Sequence, residues 1–256
     1  MTPRSRGGPP TGKVARGGER RRTVSARAES EARRAIVAVC RRLYQRGLIA
    51  GQDGNVSVRL ADGRVLVTPA GLSKVDVTPA SLVALAPEGT PLGGGAGKPS
   101  SEVGMHLRIY ARRRDVMAVV HAHPPTATGF AVAGEDFLTG VLPEIIYSVG
   151  GVPLVPYATP GTPDLADALE PFLAAHDAYL LANHGATAVG PSLAVAHQRM
   201  ESLEHAARIV LTARLLGRVN ALSADQVNAL VASRETAAAG QFDAGARRAR
   251  RREGTA

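Results

Sequence analysis

A chain of 256 residues, 45% hydrophobic and 21% charged, has the composition of a globular protein and enough length for one large domain or two small ones. Its single cysteine, Cys40, excludes an internal disulfide framework and points to a reducing cytoplasm; no apolar run is long enough to span a bilayer, and none follows the first arginines as a signal peptide would require. The net charge of +9 belongs to the ends: residues 1–28 and 243–256 together carry +10 and residues 29–242 carry −1, so the body lacks the basic footprint of a nucleic-acid binder.

Residues 1–28 and 236–256 are rich in Gly, Pro, Ala and Arg and are expected to be disordered tails around one domain, residues 29–235. Ser30 is expected to cap a helix to about Leu43, with Ile36, Val39, Cys40 and Leu43 on one face and Gly47 at its stop. Cys40 reads as a packed core residue. Asn55 to Leu60 and Arg64 to Thr68 alternate like strands, and Asp62-Gly63 between them is a hairpin signal. Leu82 to Leu85 reads as a short strand and Gly93 to Gly97 as a loop. Ser100 or Ser101 is expected to cap a helix to about Arg114. Val116 to Ala122 is a buried strand, and Thr162-Pro163-Asp164 a helix start. Ala178 to Ala182 is another buried strand, Pro191 to Leu216 a long helix, and Ser223 with Gln226 a capping box for a last one. Strands and helices interleave, but the early hairpin favours a mixed or antiparallel sheet covered by helices.

His121-Ala122-His123 ends an apolar strand that Pro124-Pro125 stops. Side chains at i and i+2 of a strand share a face, so this pair can grip one metal ion. Asn183-His184-Gly185 ends the second buried run, and Gly185 lets the backbone turn sharply. If the two strands lie side by side, three imidazoles converge, the donor set of a catalytic zinc site. His106, His176, His197 and His205 fall in helix-like segments and read as structural or surface residues. His106 sits four residues after Glu102 on one helix face, which also allows a place near the site.

Lys98-Pro99-Ser100-Ser101-Glu102 lies where a loop meets a helix, a junction suited to phosphate. Glu102 there either complements the helix dipole or serves as a general base beside phosphate and metal. Gly54-Asn55 and Thr68-Pro69-Ala70-Gly71 bracket the hairpin. Each is either an ordinary turn or a source of donors to the same phosphate.

Taken in order, six motifs resemble the class II aldolase/adducin family, its L-fuculose-phosphate aldolases in particular. They are Gly54 to Arg59, Thr68 to Gly71, Lys98 to Glu102, His121 to His123, Pro156 to Thr159 with Gly161-Thr162, and Asn183 to Gly185. The resemblance implies a three-layer α/β/α domain with a central, mainly antiparallel sheet, assembled as a homotetramer. It implies one Zn2+ per subunit on His121, His123 and His184, with Glu102 as acid/base and further zinc contact. It places Asn55, Gly71, Ser100 and Ser101 around the phosphate of a small sugar. Tyr147 is aligned with a tyrosine that handles the proton on the aldehyde oxygen.

The implied reaction is cleavage of a ketose 1-phosphate to dihydroxyacetone phosphate and an aldehyde. The substrate would be L-fuculose 1-phosphate or a 5-deoxy or 5-methylthio pentulose 1-phosphate. Ribulose-phosphate 4-epimerase and methylthioribulose-phosphate dehydratase are the alternatives within the family; a non-catalytic adducin-like scaffold is the alternative outside catalysis. The epimerases carry Asp where this chain has Glu102, and adducin heads lack the full histidine set. Two departures concern the substrate: Ala70 replaces a threonine of the aldolases, and no tyrosine follows residue 216.

Overall fold

The computed structural model describes residues 13–93, 97–135, 140–234 and 236. Helix α1 (Lys13–Gln45) leads into strands β1 (Asn55–Arg59), β2 (Val65–Val67) and β3 (Val83–Leu85). Helix α2 (Val103–Arg112) precedes β4 (Ala118–Ala122), α3 (Pro125–Ala133) and α4 (Pro143–Ser148). Then come β5 (Leu154–Val155), α5 (Pro163–Leu169), β6 (Ala178–Leu181), β7 (Gly185–Gly190) and α6 (Leu193–Leu215). Residues 224–234 form a last helix, α7.

The strands make one seven-stranded sheet in the order β3-β2-β1-β4-β7-β6-β5. Every pairing is antiparallel except β5 with β6. Period-two alternation sorts the strand residues into two apolar layers. Val56, Leu66, Ala118, Val120, Leu180, Ala186 and Ala188 pack under α1, α3, α4 and α6. Val65, Val67, Val119, Tyr179, Leu181 and Val189 pack against α2 and α5. The result is the expected three-layer α/β/α domain with a mainly antiparallel sheet. Cys40 is fully buried in the first layer, and burial pushes its thiol up to about 12. Among the described residues, no helix is long and apolar enough to cross a membrane.

Several expected boundaries shift. The first helix starts at Lys13, so Ser30 lies inside it rather than capping it, and residues 13–28 of the expected tail are helical. The segment 13–45 is rich in Ala and Arg, good helix formers, and contains no proline. Its end is as expected: Gly47 N–H donates to Tyr44 O and Leu48 N–H to Leu43 O, closing a Schellman motif around Gly47. Residues 1–12 and 237–256, assigned to the tails, lie outside the described residues.

Helix α2 starts at Val103, with Glu102 and not a serine at its cap position and no side-chain cap bond. Ser100 stands one turn earlier, its carbonyl accepting from Val103 N–H at 3.1 Å. The Ser223–Gln226 capping box is present, with bonds of 2.9 and 3.3 Å. Strands β5 and β7 and helices α3 and α4 have no counterpart in the sequence reading.

Candidate active site

Strands β4 and β6 end at the same edge of the sheet, but they are not neighbours, because β7 lies between them. The expected side-by-side placement is therefore wrong in detail, and the histidines converge by another route. The chain leaves β6, turns through residues 182–184 and returns as β7, which pairs Ala186 with Ala122 and Thr187 with His121. The turn sets His184 over the end of β4. Asn183 adopts φ +55 there, a left-handed conformation that asparagine tolerates. One ligand atom from each of His121, His123 and His184 lies within 4.8 Å of the other two. The Nε2 atoms of His121 and His123 are 3.2 Å apart, as the shared strand face requires.

Glycine lets the backbones close in around this cluster. A Cβ at Gly185 would stand 2.5 Å from His123 Cδ2 and 2.6 Å from Ala122 O. A Cβ at Gly54 would stand 2.7 Å from His121 O. Gly185 thus serves close approach, and the sharp turn falls just before it, at residues 182–184.

The protonation pattern follows from neighbours. His121 Nδ1 lies 2.9 Å from the carbonyl of Ala186, which can only accept, so Nδ1 carries the hydrogen. The Nε2 lone pair then faces the cluster and stands 3.3 Å from Glu102 Oε2. Glu102 Oε1 is 3.1 Å from His184 Nε2 and, like His184 Nδ1, is buried without a geometrically aligned hydrogen bond. Burial raises the Glu102 carboxyl, but its close polar neighbours His121, His184 and Asn55 together hold it well below the usual carboxylate range. Burial depresses His121 to about 3 and also lowers His123. At neutral pH the imidazoles of His121 and His123 are therefore neutral beside an ionised, buried carboxylate. Lone pairs of His121 and Glu102 point at one another with no hydrogen between them, an arrangement that a cation relieves. Three imidazoles and a carboxylate are suitable ligands for a divalent metal such as zinc. Asp53, 3.5 Å from His123 Nδ1, adds an outer carboxylate.

Asn55 is buried beside Glu102 and donates from Nδ2 to Glu102 Oε2 at 2.7 Å. The expected phosphate loops meet: Ala70 N–H donates to Lys98 O at 2.9 Å and Ser100 N–H to Thr68 O at 3.1 Å. Gly71 thus follows a segment paired with the one leading to Ser100 and Ser101. A cavity of about 230 Å³ opens beside them, lined by Ser101, Glu102, Arg108, Gly161 and Thr162 among others. Arg108 is held there by Asp167 and Glu170.

Tyr147 is not brought to this cluster within the chain. It lies on α4 and is 47% exposed. The carbonyl of the next residue, Ser148, accepts from Arg199, whose guanidinium also reaches Val189 O, near the far end of β7 from Gly185.

Three residues near the site were not assigned to it by the sequence. His106 is fully buried, with Nε2 2.5 Å from Asn55 Oδ1; its helical spacing from Glu102 was the available signal. Lys74 is buried and donates to Gln52 O (2.7 Å) and Leu72 O (3.2 Å), tying together the loops before β1 and after β2. Glu204 of α6 is buried and accepts from the N–H groups of Thr126 and Ala127, capping α3 just after His123-Pro124. Neither Lys74 nor Glu204 sits in a local motif.

A sequence model of the class II aldolase and adducin N-terminal domain matches residues 34–211. The chain is 35% identical to the 3-oxo-tetronate 4-phosphate decarboxylase of Escherichia coli over 72% of its own length and 88% of the relative's. It is also 35% identical to the 5-deoxy-D-ribulose 1-phosphate aldolase of Bacillus thuringiensis, over 77% and 92% of the two chains. The crystal structure of Escherichia coli YgbL superposes with a TM-score of 0.74 at 34% identity, covering 79% of this chain and 99% of that one. An L-fuculose 1-phosphate aldolase gives the same TM-score at 29% identity, covering 79% and 95%. With that match across the sheet and all three histidines, this chain belongs to the class II aldolase and adducin N-terminal domain family.

Proposed function

We propose that this chain is a zinc-dependent lyase that breaks the C–C bond one carbon from the carbonyl of a small phosphorylated sugar or sugar acid, releasing dihydroxyacetone phosphate. The observation that carries this reading is the meeting of His121, His123 and His184 at the buried carboxylate of Glu102. A zinc ion on the three imidazoles would supply Lewis-acid polarisation of the substrate carbonyl. The protein's part is to place and protonate. Gly71, Ser100 and Ser101 would hold the phosphate, as would the second Nδ2 hydrogen of Asn55. Orientation of the reacting carbons supplies part of the rate. Glu102, ionised in the resting protein, would serve as the base that takes the hydroxyl proton in retro-aldol cleavage and returns it to the enediolate carbon; after loss of CO2 that proton comes from water.

Two substrates converge on one fragment. Loss of CO2 from 3-oxo-tetronate 4-phosphate and retro-aldol cleavage of a ketose 1-phosphate both leave the enediolate of dihydroxyacetone phosphate. Retro-aldol cleavage must also remove a hydroxyl proton from the departing aldehyde carbon; decarboxylation has no such proton. Similarity to the 3-oxo-tetronate 4-phosphate decarboxylase of Escherichia coli supports decarboxylation as the first reading. Similarity to the 5-deoxy-D-ribulose 1-phosphate aldolase supports aldol cleavage as the second. The test is to incubate the zinc-loaded protein with each substrate and measure dihydroxyacetone phosphate. Release from either one, abolished by chelation and restored by zinc, is expected. Release from neither would sink the proposal.

A further inference from the structure

Helix α2 and strand β1 lie face to face through a buried row of polar side chains. Glu102, His106 and Tyr110 are spaced four apart on one face of the helix; Asn55, Ser57 and Arg59 are spaced two apart on one face of the strand. The two periods are nearly matched in length, so the sets interleave. Asn55 Nδ2 is 2.7 Å from Glu102 Oε2, and His106 Nε2 is 2.5 Å from Asn55 Oδ1. Ser57 Oγ is 2.7 Å from His106 Nδ1 and 2.8 Å from the Tyr110 hydroxyl. Arg59 closes the row with its guanidinium 5.1 Å from the Tyr110 ring centroid.

The direction of every hydrogen bond is fixed from one end. The Glu102 carboxylate accepts, so Asn55 presents its NH2 to it and its carbonyl to His106. That carbonyl only accepts, so His106 carries its hydrogen on Nε2. His106 Nδ1 is then an acceptor, the Ser57 hydroxyl donates to it, and the Tyr110 hydroxyl donates to Ser57. All four donors point toward the carboxylate. Asn55, Ser57, Glu102, His106 and Tyr110 are all buried, and none of the links is exposed to exchange of partners with water.

We infer that His106 is a positioning residue for Glu102, acting through Asn55. It fixes the flip state of the Asn55 amide, which in turn occupies Oε2 and leaves Oε1 for the reacting centre. With a side chain that cannot donate at the Nε2 position, the Asn55 amide is free to reverse, and its carbonyl would then oppose the carboxylate. This inference rests on the proposed role of Glu102 in moving a proton at the carbon of dihydroxyacetone phosphate.

The test follows exchange of solvent deuterium into dihydroxyacetone phosphate, catalysed by the zinc-loaded protein and read by NMR. His106→Leu is expected to slow the maximal exchange rate about 10–100-fold, the usual loss on removing an outer-shell partner. Zinc content should be retained, while the half-saturating concentration rises, because a reversed Asn55 amide also withdraws its hydrogen from the phosphate. His106→Gln, which keeps a donor near the Nε2 position, should recover most of the rate. Equal rates for the wild type and His106→Leu would overturn the inference. So would equal losses in both variants, or a loss explained by missing zinc. An ¹⁵N NMR spectrum of the wild-type protein checks the row without any variant: a proton on Nε2 of His106 and none on Nδ1 is expected, and the opposite tautomer refutes it. If the wild type exchanges nothing while the tautomer is as expected, the proposed function fails together with the catalytic part of this inference, and the row stands as structure alone.

Discussion

His121 has one nitrogen tied to the Ala186 carbonyl and the other aimed at His123 and Glu102. His121→Ala is expected to abolish zinc binding and reduce turnover well beyond the 10–100-fold typical of an outer-shell loss, checked by metal analysis and product assay. Retained zinc with full turnover would contradict the ligand assignment. The buried imidazoles also set a pH response of the metal-free protein. Burial brings His121 to about 3 and His106 to about 4, against an ordinary value of about 6.5. Between those limits the unfolded chain binds protons that the folded chain does not. Stability is therefore full above about pH 6.5 and is lost as pH falls toward 4. Glu102, held low, acts in the same sense below about pH 4.3. Thermal melts of the metal-free protein should show a lower midpoint at pH 5 than at pH 7; an equal or higher one would contradict this. The histidine cluster was legible because His-Ala-His on a strand is a local pattern with a direct geometric meaning. The partners of Asn55 and the tautomer of His106 were not, because they depend on two elements meeting.

At the scale of elements, the sequence revealed those with a strong period. The amphipathic face of α1, the β1–β2 hairpin and the apolar core of β4 all follow from it. Strand β7 was missed because Gly185 to Gly190 is built of small residues with no bulky alternation; its place between two strands makes it a strand. Smallness is required at its start, where Gly185 lies against His123. Gly185→Ala is expected to keep the fold but weaken zinc binding at least about tenfold, by moving the His123 ring, as competition with a chelator would measure. Unchanged affinity would count against the close-approach argument. The start of α3 was missed for a different reason: its cap comes from Glu204, on another helix. Glu204→Ala leaves the Thr126 and Ala127 N–H groups without their acceptor and should cost about 1–3 kcal/mol in urea unfolding. A loss below about 0.5 kcal/mol, within the range of neutral surface substitutions, would show that water replaces the cap.

For the whole molecule, the interleaved elements pointed to a mixed or antiparallel sheet covered by helices and the family resemblance to its three layers, while the strand order was not readable, since it depends on pairings between residues sixty or more positions apart. Tyr147 shows how the plan limits function. A role for its hydroxyl at a histidine cluster requires the cluster of another copy of the chain. In that case, mixing Tyr147→Phe with His121→Ala should restore aldol cleavage that neither variant shows alone; no restoration under conditions of subunit exchange would remove Tyr147 from the mechanism. The position of β7 has a further consequence, for how the protein matures. A chain growing from its N-terminus has made His121 and His123 long before residue 184, and the sheet between β4 and β6 is complete only with β7. If the three histidines hold zinc as proposed, ribosome-held chains that stop short of β7 should hold the ion only loosely.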